Sequence, residues 1–236
     1  MTKTENTSNS ALIDSLFNVG AHFGFTKSRR HPSAAPYIFG QKNKVEIFDL
    51  EKTEVALAKA LAFVTELGKK KAPILFVSGK HEAVSAIENG ASALGLPYVA
   101  GRWIGGTLTN FGEIKKRVNK MEDLMMQKEK GELAKYTKKE RLLIDRDIEK
   151  MHKMFHGLTV MKGLPGALFI VDTRAEDTAV AEAKALNIPV ISLSGSDCNL
   201  ADSTYPIPAN DSAKASIEFF VGKIVEAYKA GSLMVE

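Results

Sequence analysis

The sequence predicts an α/β fold: a doubly wound parallel sheet into which an antiparallel helical hairpin is inserted. Three observations carry that reading. Near-continuous apolar runs at residues 74–77, 167–171 and 188–193 have the character of strands covered by helices on both faces. Each run is followed by an amphipathic stretch of helical length, the rhythm of βα units. That rhythm stops between residues 111 and 157, where 22 of 47 residues are charged and no strand-like run occurs.

Along the chain, YIFG and VEIFDL flank Gln41, Lys42, Asn43 and Lys44 and predict a β-hairpin with a basic tip on a rigid stem, followed by a helix from about Lys52 to Leu67. Further helices are expected over residues 81–94, 176–186 and 212–230. In the last of these Ile217, Phe220, Val221, Ile224, Val225 and Tyr228 form one apolar stripe. In the charged segment, Ile114, Val118, Met121 and Met125 share one spacing with Ile144, Ile148, Met151 and Phe155, on either side of a break containing Gly131. Thr137 and Glu140 make a capping-box pair that starts the second helix. Both stripes are one side chain wide, too narrow for another layer on the sheet, so the hairpin is expected to project from the body. The expected organisation is a disordered tail over residues 1–10, a discontinuous α/β domain over 11–110 and 158–230, the hairpin over 111–157 and a C-terminal tail over 231–236.

Composition bounds the function classes. With 236 residues, 44% hydrophobic and 25% charged, the chain carries enough apolar material for one core and is neither disordered nor collagen-like. No run approaches the roughly 20 apolar residues of a membrane span, and the polar start MTKTENTSNS has no signal-peptide character. The lone Cys198 can form neither an intramolecular disulfide nor a cysteine zinc cluster. These features predict a cytosolic protein with no membrane partner and no redox chemistry.

The net charge of +4 is small, but its distribution is uneven. Residues 20–45 carry Lys27, Arg29, Arg30, Lys42 and Lys44 with no acid, and residues 111–157 hold 13 basic against 9 acidic residues. Residues 172–236 hold 10 acidic against 5 basic residues. A basic, acid-free stretch attracts phosphate by releasing counterions, whereas an acidic surface repels nucleic acid and is freer to meet protein.

The usual nucleotide loops are missing. Ser78-Gly79-Lys80 lacks the first glycine and the final hydroxyl of a phosphate-binding loop, and GRWIGG at 101–106 does not have dinucleotide spacing. His152 and His156 are four apart, but HKMFH lacks the glutamate of a zinc-peptidase helix and no third ligand presents itself. Cys198 has no adjacent histidine to activate it, and nothing near His22 in sequence orients it for catalysis. The expectation is a chain with no catalytic residue, no cofactor, no metal and no small-molecule substrate. The residues suited to nucleic acid are Arg29-Arg30-His31, Lys42 to Lys44, Arg102-Trp103 and Lys115-Lys116-Arg117, all in loops or at element ends. There Arg pairs with phosphate while Trp or His stacks on an unpaired base, the usual mode for folded RNA. For Trp103, core packing and base stacking both stay open.

Six ordered segments carry a family resemblance: GAHFG at 20–24, PYIFGQKNKVEIFDLEKT at 36–53, ILFVSGK at 74–80, GRWIGGTLTNF at 101–111, LPGALFIVDTRAEDTAVAEAKALNIPVI at 164–191 and YPIPANDSAKASI at 205–217. In these the chain resembles the small ribosomal subunit protein S-two family, bacterial type, from about Leu12 to Tyr228. The resemblance implies a flavodoxin-like sheet, a protruding helical hairpin, and a non-catalytic role in small-subunit assembly and translation. It implies binding to small-subunit rRNA and to other ribosomal proteins, ribosomal protein S-one among them. The RNA-facing residues carried over are His22, Lys27, Arg29, Arg30, Lys42, Asn43, Lys44, Arg102, Trp103 and Asn110. Two departures stand out: Phe25 where the family usually has histidine, and Gly195 to Leu200 in place of a D-T-N-x-D-P loop.

Two other classes remain open on the residues alone. An α/β enzyme acting on a phosphorylated or nucleotide substrate at the strand ends would gather Lys80, Asp172 and Asp197 in a concave site with perturbed ionisation. An adapter would expose a continuous apolar seam on both helices of the hairpin.

Overall fold

The βα alternation expected from residue 73 onward is present in the computed structural model, which describes residues 3–234, with side chains from residue 11. The chain begins with α1 (Lys3–Asn18) and then forms β1 (Phe23–Thr26), β2 (Ile38–Lys42) and β3 (Val45–Phe48), a separate three-stranded antiparallel sheet in the order β1-β3-β2. Of the tail expected to be disordered over residues 1–10, residues 3–10 form the first part of α1, and residues 1–2 lie outside the described residues. Asn43 and Lys44 close the β2–β3 hairpin with φ of 52° and 68°, the two consecutive positive values of a tight hairpin turn.

Next come α2 (Leu50–Lys69), β4 (Ile74–Ser78), α3 (His81–Ser92), β5 (Tyr98–Ala100), α4 (Phe111–Glu129), α5 (Lys138–Phe155), β6 (Ala167–Val171), α6 (Asp177–Ala185), β7 (Val190–Ser194), β8 (Tyr205–Pro208) and α7 (Lys214–Leu233). Strands β4 to β8 form a parallel five-stranded sheet in the order β5-β4-β6-β7-β8. Counted from β4, that is the flavodoxin-like order, with the strand direction of travel reversing between β4 and β6.

Period-two alternation splits the core between the two faces of this sheet. Ile74, Phe76, Phe169, Val171, Ile191 and Leu193 pack against α1, α2, α3 and α7. Leu75, Val77, Leu168 and Ile170 face the other way, onto α6 and the segment from Trp103 to Met121. Gly68 on α2 and Gly231 on α7 permit a close helix crossing: a Cβ on Gly68 would run into the Tyr228 carbonyl, and one on Gly231 into that of Thr65.

The charged segment forms α4 and α5, which contact each other and are tied by Lys128 Nζ and Asp145 Oδ1 at 2.8 Å. Gly131 breaks the pair at φ 72°, and Thr137 with Glu140 forms the complete capping box. At the root of the hairpin the apolar stripes, though narrow, pack on the sheet. Ile114, Val118, Met121 and Phe155 join the second core cluster, so the first half of α4 and the end of α5 do cover the sheet. Farther out, Met126, Leu142 and Leu143 are exposed. Among the described residues no helix is long and apolar enough to cross a membrane.

Candidate nucleic-acid interface

The small antiparallel sheet and its flanking turns carry the amino-terminal basic stretch, and the β7–β8 connection holds that stretch on the main sheet. Ser196 is the chief fastener. Its hydroxyl accepts from Phe25 N at 2.8 Å and its carbonyl accepts from His31 N at 2.8 Å. Ser33 Oγ accepts from Leu200 N at 3.0 Å. The two places where the sequence departs from the pattern of the family it resembles therefore lie side by side: a Cβ on Gly195 would stand 3.0 Å from the Phe25 ring.

On this platform Lys27, Lys42, Asn43 and Lys44 are exposed, and among the described residues none of the three lysines has a carboxylate within ion-pair distance. The neighbouring arginines differ. Arg30 Nη1 lies 3.0 Å from Glu46 Oε1, whose side chain is only 2% exposed, so Arg30 is the counter-ion of a buried carboxylate and not the free phosphate ligand expected. Arg29 is 55% exposed and lies over the Phe25 ring at 4.5 Å. It shares the Asp197 carboxylate, at 3.3 Å, with Arg174 at 2.9 Å. Two guanidinium groups on one carboxylate leave net positive charge, and Arg174, in the VDTRAED segment, is a site residue that the sequence reading does not single out. These groups line a concavity of about 580 Å³ that also includes Asp177, Asn199 and Asp202.

The two amino-terminal histidines do not face solvent as free stacking groups. His31 Nδ1 lies 2.8 Å from Ser33 Oγ and accepts from Ser33 N, capping the short turn Pro32–Tyr37. His22 is buried, with its ring stacked on Phe17 at 4.4 Å, and burial pushes its pKa down. The RNA-facing expectation for His22 is corrected on that ground: a ring packed between Phe17 and Phe23 offers no face to a base.

Trp103 is corrected in the same way, since it is buried against the second face of the sheet. Its indole Nε1 donates to Glu182 Oε1 at 3.0 Å, and the same carboxylate accepts from the backbone N–H groups of Gly106 (2.7 Å), Leu108 (2.9 Å) and Thr109 (3.0 Å) and from the Thr109 hydroxyl (3.1 Å). Burial opposes the charge on Glu182, but these donors outweigh it and hold the carboxyl below its ordinary range. The GRWIGGTLTN segment is thus a loop wrapped around an anion supplied by α6. Arg102 and Asn110 remain exposed on its rim. Lys115, Lys116 and Arg117 are exposed on α4, with Lys116 paired to Glu113 at 2.6 Å.

The strand ends hold a second polar cluster. Lys80 Nζ lies 2.9 Å from Asp172 Oδ2 and 2.9 Å from Asp211 Oδ2, and donates to the Asp211 carbonyl at 3.0 Å. Burial opposes the ammonium, yet the two carboxylates outweigh it and raise the Lys80 pKa. Burial also opposes the Asp172 carboxylate, and there Lys80 and the Ala175 N–H win and hold it low. For Asp211 burial prevails and its pKa rises. Asp172, at φ 68°, also accepts from Arg174 N and Ala175 N, which fixes the turn after β6. Asp172, Cys198 and Asp211 bring potential ligand atoms within 4.8 Å of one another, but the Lys80 ammonium is already paired with both carboxylates. Burial pushes the Cys198 thiol up to about 12, which leaves it a poor nucleophile and a poor metal ligand. Asp197 faces the arginines instead of Lys80, so the three residues expected of an enzyme site are split between two ion-pair systems.

Compared with known proteins, residues 16–231 match the family model described as ribosomal protein S2. The chain is 40% identical over 220 residues to the small ribosomal subunit protein uS2 of Chloroflexus aurantiacus, covering 93% of this chain and 92% of the relative. It is 41% identical over 216 residues to the uS2 protein of Psychrobacter cryohalolentis, covering 92% and 82%. With that of a Roseiflexus species it shares 42% over 212 residues, covering 90% and 81%.

Proposed function

The chain belongs to the ribosomal protein S2 family, and from that membership we propose that it is a structural constituent of the small ribosomal subunit, binding small-subunit rRNA and neighbouring ribosomal proteins without turning over a substrate. The observation that carries the reading is the division of charge. Asp172 and Asp211 are engaged by Lys80, Asp197 by Arg29 and Arg174, and Glu182 by the 101–110 loop, whereas among the described residues Lys27, Lys42 and Lys44 stand exposed without a carboxylate partner. Unpaired lysines on a rigid hairpin lose little conformational freedom beyond their own side chains when they meet phosphate, and each contact releases counterions.

In this reading Arg29 and Arg102 extend the phosphate-binding surface on the body. Lys115 and Arg117, exposed near the start of α4, supply a second contact, with the helix pair acting as an arm that lengthens the footprint. The acidic balance of residues 172–236 suits protein neighbours, ribosomal protein S-one among them. The protein would then reside with cytoplasmic ribosomes.

Sedimentation of the tagged full chain from a cell lysate tests this. Co-migration with small subunits in magnesium, and release from them when magnesium is withdrawn and the rRNA unfolds, is the expected result. Migration as free protein under both conditions would overturn the reading.

A further inference from the structure

We propose that Phe39 is a stacking platform for an unpaired base of small-subunit rRNA, placed beside the phosphate-facing Lys42 and Lys44; the inference rests on the rRNA-binding reading above. Phe39 is 80% exposed, an unusual position for a phenyl ring that sits in a strand. The local register explains how it gets there. Ile38 pairs with Phe48 and Gly40 with Ile47, so two steps on β2 match one on β3, and Phe39 is the extra residue of a β-bulge. A bulge leaves its extra residue out of the ladder and re-aims its side chain, here outward from the small sheet.

The ring is free in a way the other exposed aromatic rings are not. Phe17 and Phe23 both pack on His22, and Tyr136 lies under the Lys135 ammonium. Among the described residues Phe39 has neither an aromatic nor a cationic partner. Toward the hairpin tip its chain neighbours Gln41, Lys42, Asn43 and Lys44 are exposed and polar, so on that side the ring borders a basic surface.

Charge selects the occupant. No acid occurs between residues 20 and 45, and Lys42 and Lys44 lie on the same hairpin. Three residues of strand separate Phe39 from Lys42 by about 10 Å. A base on the ring and phosphates at the lysines therefore belong to one short stretch of single strand. Base–aromatic stacking accepts any base, while the lysines supply the salt-dependent attraction. The sequence held the signal in part: YIFG places an aromatic residue next to a basic hairpin tip, but the bulge that turns it outward depends on the register of β2 against β3.

The test compares Phe39→Ala, Phe39→Leu and Phe39→Trp in the full chain for binding to small subunits stripped of their native copy. Because the ring is exposed, all three variants should melt with the wild-type protein. Stacking predicts binding about tenfold weaker for Phe39→Ala, a similar loss for Phe39→Leu, which keeps apolar area but no π face, and recovery in Phe39→Trp. A photoreactive phenylalanine analogue at position 39 should cross-link to rRNA. Wild-type affinity in Phe39→Ala or in Phe39→Leu, or a cross-link to a ribosomal protein, would overturn the platform while leaving rRNA binding intact. Failure of the wild-type chain itself to bind would instead remove the reading on which it rests.

Discussion

The Trp103 indole donates a 3.0 Å hydrogen bond to the carboxylate of Glu182, a residue far away in the sequence, and that bond is one of several by which Glu182 organises the 101–110 loop. Removing the carboxylate would strand buried donors, each costing roughly 1–3 kcal/mol when unsatisfied. Glu182→Ala is therefore expected to destabilise the protein by about 3 kcal/mol or more, a drop in Tm on the order of 6–12 °C at this chain length. The folded-state pKa of Glu182 is depressed, so its contribution is present above the ordinary glutamate range and is lost as pH falls through the lower folded value. Urea unfolding of wild type and Glu182→Ala at neutral and strongly acidic pH should show the gap narrowing with acid. A gap that stays constant would mean that the carboxylate charge is not what holds the loop.

The Lys80 cluster yields a prediction of the same kind. Lys80→Met would leave Asp172 and Asp211 facing each other without a cation, and breaking a buried pair from one side costs about 3–5 kcal/mol. The folded pKa of Lys80 is raised, so its contribution is present below the ordinary lysine value and is lost only as pH rises through the higher folded value. The loss should be full at neutral pH and smaller in acid, where the carboxylates protonate. Equal stability of Lys80→Met and wild type at neutral pH would show that the cluster does not hold the strand ends together.

Phe25 and Gly195 make a third case. A Cβ on Gly195 would lie 2.6 Å from Asp211 Oδ1 and 3.0 Å from the Phe25 ring, with little room on either side. Gly195→Ala is expected to cost about 1–3 kcal/mol by overpacking. Gly195→Ala combined with Phe25→Ala should recover part of that loss, because the second change clears one of the two clashes. Thermal melts of the two single variants and the double variant measure the coupling, and strict additivity would mean that the two sites are independent.

Much of this fold could be read from the chain because its elements are periodic. The fully buried strands β4, β6 and β7 announce themselves as apolar runs, and the capping box of Thr137 and Glu140 marks the start of α5. β5 is too short for a pattern to register, and the prolines of β8, Pro206 and Pro208, argue against a strand except at an edge, which is where β8 lies. The candidate surface was legible only where a residue's surroundings are local. Lys42 ends β2 and Lys44 lies in the hairpin turn that the sequence specifies, and both are exposed. The surroundings of Arg30 and Trp103 are not legible in the sequence, because their partners, Glu46 and Glu182, come from other elements, and spacing along the chain carries no information about such pairs.

The salt dependence of binding to stripped small subunits tests the central claim most directly, comparing wild type with the double variant Lys42→Gln, Lys44→Gln. Each phosphate contact contributes roughly 0.7–0.9 to the slope of log affinity against log salt, so loss of both lysines should lower the slope by about 1–2 while leaving Tm unchanged. Arg30→Gln, which uncovers the buried Glu46, should instead lower Tm. An unchanged slope and affinity in the double lysine variant would contradict the claim that the exposed lysines of the β2–β3 hairpin grip rRNA.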